Sequence, residues 1–191
     1  MELWRRADFT DRLFLVYFAG LAVLIFFLRD RVPGWPWYLL VHLVFILLIG
    51  LLVHNAQRFQ TAHAWYPLAM PLFTFLEVAH LTFLLVDGWQ DHYILSLEAW
   101  LFSEPPTVWL GRFASSLVTE VLQLGYFSYY FMLITVAGVL YRRKEKGPFF
   151  GVMAATILAY MLCYAVFIAF PTEGPAHTLR HLHDASLPGG P

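Results

Sequence analysis

The sequence predicts an all-α fold, a polytopic transmembrane helical bundle of about five spans with an extracytoplasmic interfacial helix. Three observations predict it. Of 191 residues, 60% are hydrophobic and only 13% are charged, whereas soluble domains carry about 25% charged residues. Apolar runs approaching the roughly 20 residues needed to cross a bilayer recur near residues 13–28, 37–53, 67–86, 118–140 and 149–170. Short polar linkers separate them and no internal repeat is visible, so residues 1–191 read as one membrane domain. A net charge of −1 argues against a nucleic-acid partner, and the single cysteine, Cys163, cannot form an intrachain disulfide.

The first run, LFLVYFAGLAVLIFFL, is uncharged and bounded by Arg12 and Arg29. A signal peptide also has a basic start, but here RDRVPGWPW follows in place of a small-residue cleavage site, so the span is retained. Pro33, Trp35, Pro36 and Trp37 then make a turn at head-group level, where aromatic rings are favoured. The second span buries His42 near its start. In the third, PLAMPLFTFLEVAHLTFLLV, Glu77 and His80 are three residues apart and share one side of a helix. An intramembrane carboxylate beside an imidazole is a functional candidate. Its alternative is a buried Glu77–His80 pair that only fixes helix packing.

In HYILSLEAWLF, near residues 92–102, Tyr93, Ile94, Leu97, Trp100 and Leu101 share one helical face, which suits a helix lying in the membrane interface. Glu104-Pro105-Pro106 ends it, because proline lacks the backbone donor and disfavours helix in the residue before it. Thr107 then caps a short helix over TVWLGRFA.

The fourth span, VTEVLQLGYFSYYFMLITVAGVL, carries a polar stripe. At about 100° per residue, Ser116, Thr119, Glu120, Gln123, Tyr126 and Tyr130 fall within about one third of the circumference. Such groups are expensive in hydrocarbon and normally face a bundle interior or a wet cavity. The stripe therefore either lines a cavity or bonds across to neighbouring helices as glue.

Basic residues set the orientation. Arg5, Arg6, Arg12, Arg58, Arg142, Arg143, Lys144 and Lys146 lie on the side of the N-terminus, against Arg29, Arg31, Arg112 and Arg180 on the other. Eight against four places the N-terminus in the cytoplasm. The interfacial helix and the tail FPTEGPAHTLRHLHDASLPGGP are then extracytoplasmic.

The run HYILSLEAWLFSEPPTVWLGRFASSLVTEVLQLGYFSYYF, followed one span later by FPTEGPAH, resembles the inositol phosphorylceramide synthase-like branch of the type-2 phosphatidic acid phosphatase superfamily. Leu101-Phe102 and Pro105 match that branch's L-F segment with its following proline, and Tyr126, Ser128, Tyr129 and Tyr130 match its Y-x-S-Y-Y helix end. Phe170, Pro171, Gly174 and Pro175 match its F-P-x-x-G-P-R turn. The resemblance runs from about Asp91 to the C-terminus.

It implies a lipid-phosphate phosphatase or a phosphoinositol or other phospho-head-group transferase, acting at the extracytoplasmic face of the plasma membrane. The implied partner is a membrane lipid with a phospholipid or sphingolipid head group. Glu120, Gln123, Tyr126, Tyr130, Glu173 and His177 become candidate substrate-binding residues. Family chemistry resembles transfer through a phosphohistidine, which needs a nucleophile held by a third group and arginines on the phosphoryl oxygens. Neither P-S-x-H nor S-R-x-x-x-x-x-H-x-x-x-D is in this sequence, and Ala176-His177 stands where the branch often has arginine and an aromatic residue. No catalytic residue is assigned. The sequence reads as an N-terminal portion of such an enzyme.

Two other classes compete. His177, His181 and His183, with Asp184, fall at spacings that a His-ligated membrane metalloenzyme would use, and Glu77-x-x-His80 copies the Glu-x-x-His spacing of bundle di-iron sites. A working site needs several such boxes on one side of the membrane. With no H-x-x-H-H present, a solvated polar tail is favoured and no metal or cofactor is expected. A non-enzymatic scaffold or lipid-binding membrane protein is the remaining alternative.

Overall fold

A computed structural model of the chain describes residues 2–102 and 105–179. Its elements are all helices, with no strand among the described residues. A short helix, α1 (Glu2–Arg6), precedes α2 (Phe9–Phe27), α3 (Trp35–His54) and α4 (Gln60–His80). Two short helices follow, α5 (Asp91–Leu101) and α6 (Pro106–Gly111). Then come α7 (Ser116–Arg142), α8 (Lys146–Ala169) and a single turn, α9 (Pro175–Thr178). Among the described residues, α2, α3, α7 and α8 are long and apolar enough to cross a membrane, and the chain is an all-α membrane protein.

Their bounds lie close to four of the five expected spans. The third expected span, 67–86, differs: α4 begins at Gln60 and stops at His80, and turns occupy the residues after it. Its first turns carry Gln60, Thr61 and His63, which make it the least apolar of the long helices. Apolar content alone misplaced the helix, because the run LTFLLV is apolar without being helical.

Local chemistry sets the helix starts. Asp8 caps α2 through a reciprocal capping box with Asp11. Gly34, at φ 74°, turns the chain into α3, with Pro36 in its first turn, where proline's missing N–H has no helical partner to lose.

The chain divides into two compact units, one comprising Met1–Asp87 with Leu140–Ala169 and the other Gly88–Val139 with Phe170–Pro191. In the first, α2 packs along α3 and α8, and α4 along α8. The buried positions of α2, Phe14, Phe18, Leu21 and Ile25, recur at helical spacing, as do Phe149, Met153, Ile157, Met161, Tyr164 and Ile168 on α8. Phe14, Phe18, Ile49, Val53, Ile157 and Met161 make one core cluster. Leu21, Ile25, Val78, Leu81, Tyr164 and Ile168 make another.

Rings interlock through the first of these clusters, with Phe18 stacked on Phe45 at 5.3 Å and Phe45 edge-on to Phe73 at 4.5 Å. Val16, Val23, Leu43, Leu47, Leu162 and Val166 are exposed, as befits side chains that meet lipid. Because acyl chains are as apolar as leucine, close packing and buried hydrogen bonds, rather than burial from water, hold such a bundle together. The second unit contains α5, α6, most of α7, and the turn and single helical turn that follow α8.

Candidate functional site

The first unit buries a polar centre among α2, α3 and α4. Glu77 Oε1 is hydrogen-bonded to His42 Nε2, and both side chains are almost wholly buried. The pair assigned from sequence is thereby corrected: Glu77 meets His42 from α3, not His80. His80 is exposed, and its Nδ1 lies 2.8 Å from the Leu76 carbonyl of its own helix. The reason is geometric. Near the end of α4 the two side chains diverge enough that one enters the bundle and the other leaves it.

Around this pair, Tyr164 donates to the Pro71 carbonyl at 3.0 Å, and Thr74 donates to the same carbonyl at 3.2 Å. His42 Nδ1, Glu77 Oε2 and the Tyr17 hydroxyl are buried and make no hydrogen bond among the described residues. Buried polar atoms of this kind hold spare capacity to bind a proton or a polar ligand group, at a cost to stability while it is unused.

At the end of the first unit that holds the N-terminus, a second cluster joins α2 to α4. Asp11 accepts from the Tyr66 hydroxyl at 2.6 Å and from the Asp8 backbone N–H at 2.9 Å, and its Oδ2 lies 3.1 Å from His63 Nε2. Asp8, Asp11 and His63 bring ligand-type atoms within 4.8 Å of one another. Both Asp11 oxygens already accept hydrogen bonds, so the arrangement serves first to fix the start of α2 against α4. Burial raises the Asp8 carboxyl above the usual carboxylate range, opposed by the Asp11 backbone N–H. Sequence reasoning missed this cluster, although Asp8-x-x-Asp11 ahead of an apolar run is a capping signal.

In the second unit the organising residue is Asp91, the first residue of α5. Its carboxylate accepts from the backbone N–H groups of Glu173 at 2.9 Å and Gly174 at 2.8 Å, and the neighbouring Gln90 N–H donates to the Pro171 carbonyl at 2.8 Å. The FPTEGP turn is thus held against the start of α5, and Tyr93 packs on Phe170 with ring centroids 6.1 Å apart. Gly174 sits at φ 94°, a conformation side-chain-bearing residues rarely adopt. Burial works to raise the Asp91 carboxyl, but the N–H groups of Glu173 and Gly174 favour its charged form and hold it below the usual range.

The residues singled out from sequence fall as follows. Glu120, Gln123, Tyr126 and Tyr130 lie along α7 and are exposed, with Tyr126 and Tyr130 edge to face at 6.1 Å. Glu173 and His177 come together, His177 Nδ1 lying 4.0 Å from Glu173 Oε1. His181, His183 and Asp184 lie outside the described residues. Compared with family models, curated proteins and solved structures, the chain matches none of them.

Proposed function

We propose that this chain handles a phosphorylated lipid head group at the extracytoplasmic face of the plasma membrane, with its N-terminus cytoplasmic, as the lipid-binding membrane part of a lipid phosphatase or head-group transferase. One observation carries the reading. Asp91 ties the start of α5 to the FPTEGP turn through two backbone N–H groups. These are the two segments, 82 and 83 residues apart across these bonds, on which the resemblance to the phosphatidic acid phosphatase superfamily rests. Their union puts Glu173 and His177 at one polar corner, beside an amphipathic helix whose Tyr93, Leu97 and Trp100 are exposed. A lipid head group lies at that depth, where amphipathic helices settle.

On this reading the phosphorylated group is held by His177 at this corner and by the tyrosines of α7, and neither phosphohistidine motif of the superfamily occurs in the sequence. The purified chain in nanodiscs containing radiolabelled phosphatidic acid tests it. Saturable retention of the lipid without phosphate release is the expected result. Release of phosphate by protein free of host enzymes, or retention no greater than that of phosphatidylcholine, contradicts the reading.

A further inference from the structure

A cleft of about 740 Å³ opens at the end of the first unit that holds the N-terminus, between the start of α4, the end of α7 and the start of α8. We propose that it is a phosphate-group site, separate from the extracytoplasmic corner and independent of the function argued above. Its polar wall carries Arg142, Lys144, Lys146 and Gln60, and Phe149 and Phe150 form an apolar wall. The lining carboxylate, Glu145, lies 4.0 Å from Arg143. Among the described residues no carboxylate pairs with Arg142, Lys144 or Lys146. The first turn of α8 contains no acidic residue, but its positive helix end is offset by the negative C-terminal end of α7 at the same cleft, so the field rests on the three basic side chains. Cations against an apolar wall at the end of membrane-spanning helices match the phosphate and upper acyl chain of an anionic lipid. The volume lies within the range of small-molecule sites.

Lys144 strengthens the case independently. It sits at φ 59°, the left-handed conformation, which ends α7 through Lys144 N–H to Tyr141 C=O and Glu145 N–H to Leu140 C=O, each at 3.1 Å. Glycine is the usual residue at such a helix end. A lysine there is strained, and it is one of the residues that line the cleft. Strain held at one position in this way is characteristic of binding sites.

Lys144→Gly separates the two roles, because it removes the charge while relieving the strain. Full-length chain in vesicles is labelled with phosphatidic acid bearing a photoreactive group near its head, with matched phosphatidylcholine as control, and adducts are mapped to peptides. Adducts from phosphatidic acid, but not phosphatidylcholine, are expected within residues 140–150. Lys144→Gly and Arg142→Gln should each lower their yield about fivefold, the effect of one basic residue near an anionic surface. The melting temperature of Lys144→Gly should stay the same or rise. Equal labelling by phosphatidylcholine, or a yield unmoved by both substitutions, overturns the proposal. Displacement of the probe by inorganic phosphate makes the phosphate group alone sufficient; resistance to it assigns the site to the whole lipid.

Discussion

Glu77 on α4 and His42 on α3 hydrogen-bond in the interior of the first unit, with side chains 1% and 0% exposed. A carboxyl and an imidazole hydrogen-bonded to each other are tolerated in an apolar interior far better than a lone carboxylate.

Removing one member should therefore do more damage than removing both. His42→Leu and Glu77→Leu are each expected to destabilise the protein in detergent by about 3 kcal/mol, the order seen when a buried pair loses one partner. The double change His42→Leu with Glu77→Leu should recover most of that loss. Chemical unfolding of the two single variants and the double variant measures the coupling, and strictly additive losses would show that the pair does not act as a unit.

Asp91 should make the FPTEGP turn acid-sensitive. Its carboxyl is held below the usual range in the folded protein. Its stabilising effect is then complete above the unfolded-state value of about 3.9 and is lost as pH falls through the lower folded-state value. Asp91→Asn should weaken the turn by about 1–2 kcal/mol at neutral pH and flatten this acid dependence. Hydrogen exchange at the Glu173 and Gly174 amides, read from pH 7 down to pH 3, is the measurement. Equal protection in both proteins at neutral pH would remove Asp91 from its role.

Orientation is tested with an impermeant thiol reagent on whole cells, in a Cys163→Ala background. Ser96→Cys on α5 should be labelled from outside, and Glu145→Cys between α7 and α8 should not. The reverse pattern would invert the membrane orientation and move the proposed head-group corner to the cytoplasm.

How much of this was legible in the sequence depends on the distance over which each signal acts. Helix existence was legible because apolar periodicity is local, and α2, α3, α7 and α8 fall close to their expected bounds. Glu77 stood out for the same reason: a carboxylate in an apolar run is visible by itself. Its partner was not. His80 is near in sequence, whereas His42 lies 35 residues earlier and is brought in by α3 crossing α4. Asp91 was hidden in the same way, being one acidic residue at a helix start until a turn more than 80 residues later closes on it. Spacing along one helix cannot report contacts between helices. The extent of α4 was misjudged because hydropathy does not distinguish its polar first turns, which are helical, from the apolar LTFLLV, which is not.

The central claim, a phosphorylated lipid head group held by the second unit, is tested most directly by mapping the adducts of the same photoreactive phosphatidic acid over that unit. The account predicts adducts on α7 between Glu120 and Tyr130 and on the FPTEGPAH segment, absent with the phosphatidylcholine probe. They should be reduced by Gln123→Leu and by His177→Ala, at unchanged melting temperature. Adducts within residues 140–150 serve as the internal reference, so a reagent that fails altogether is distinguished from a site that does not exist. Labelling of the reference with none on α7 or the FPTEGPAH segment would contradict the account.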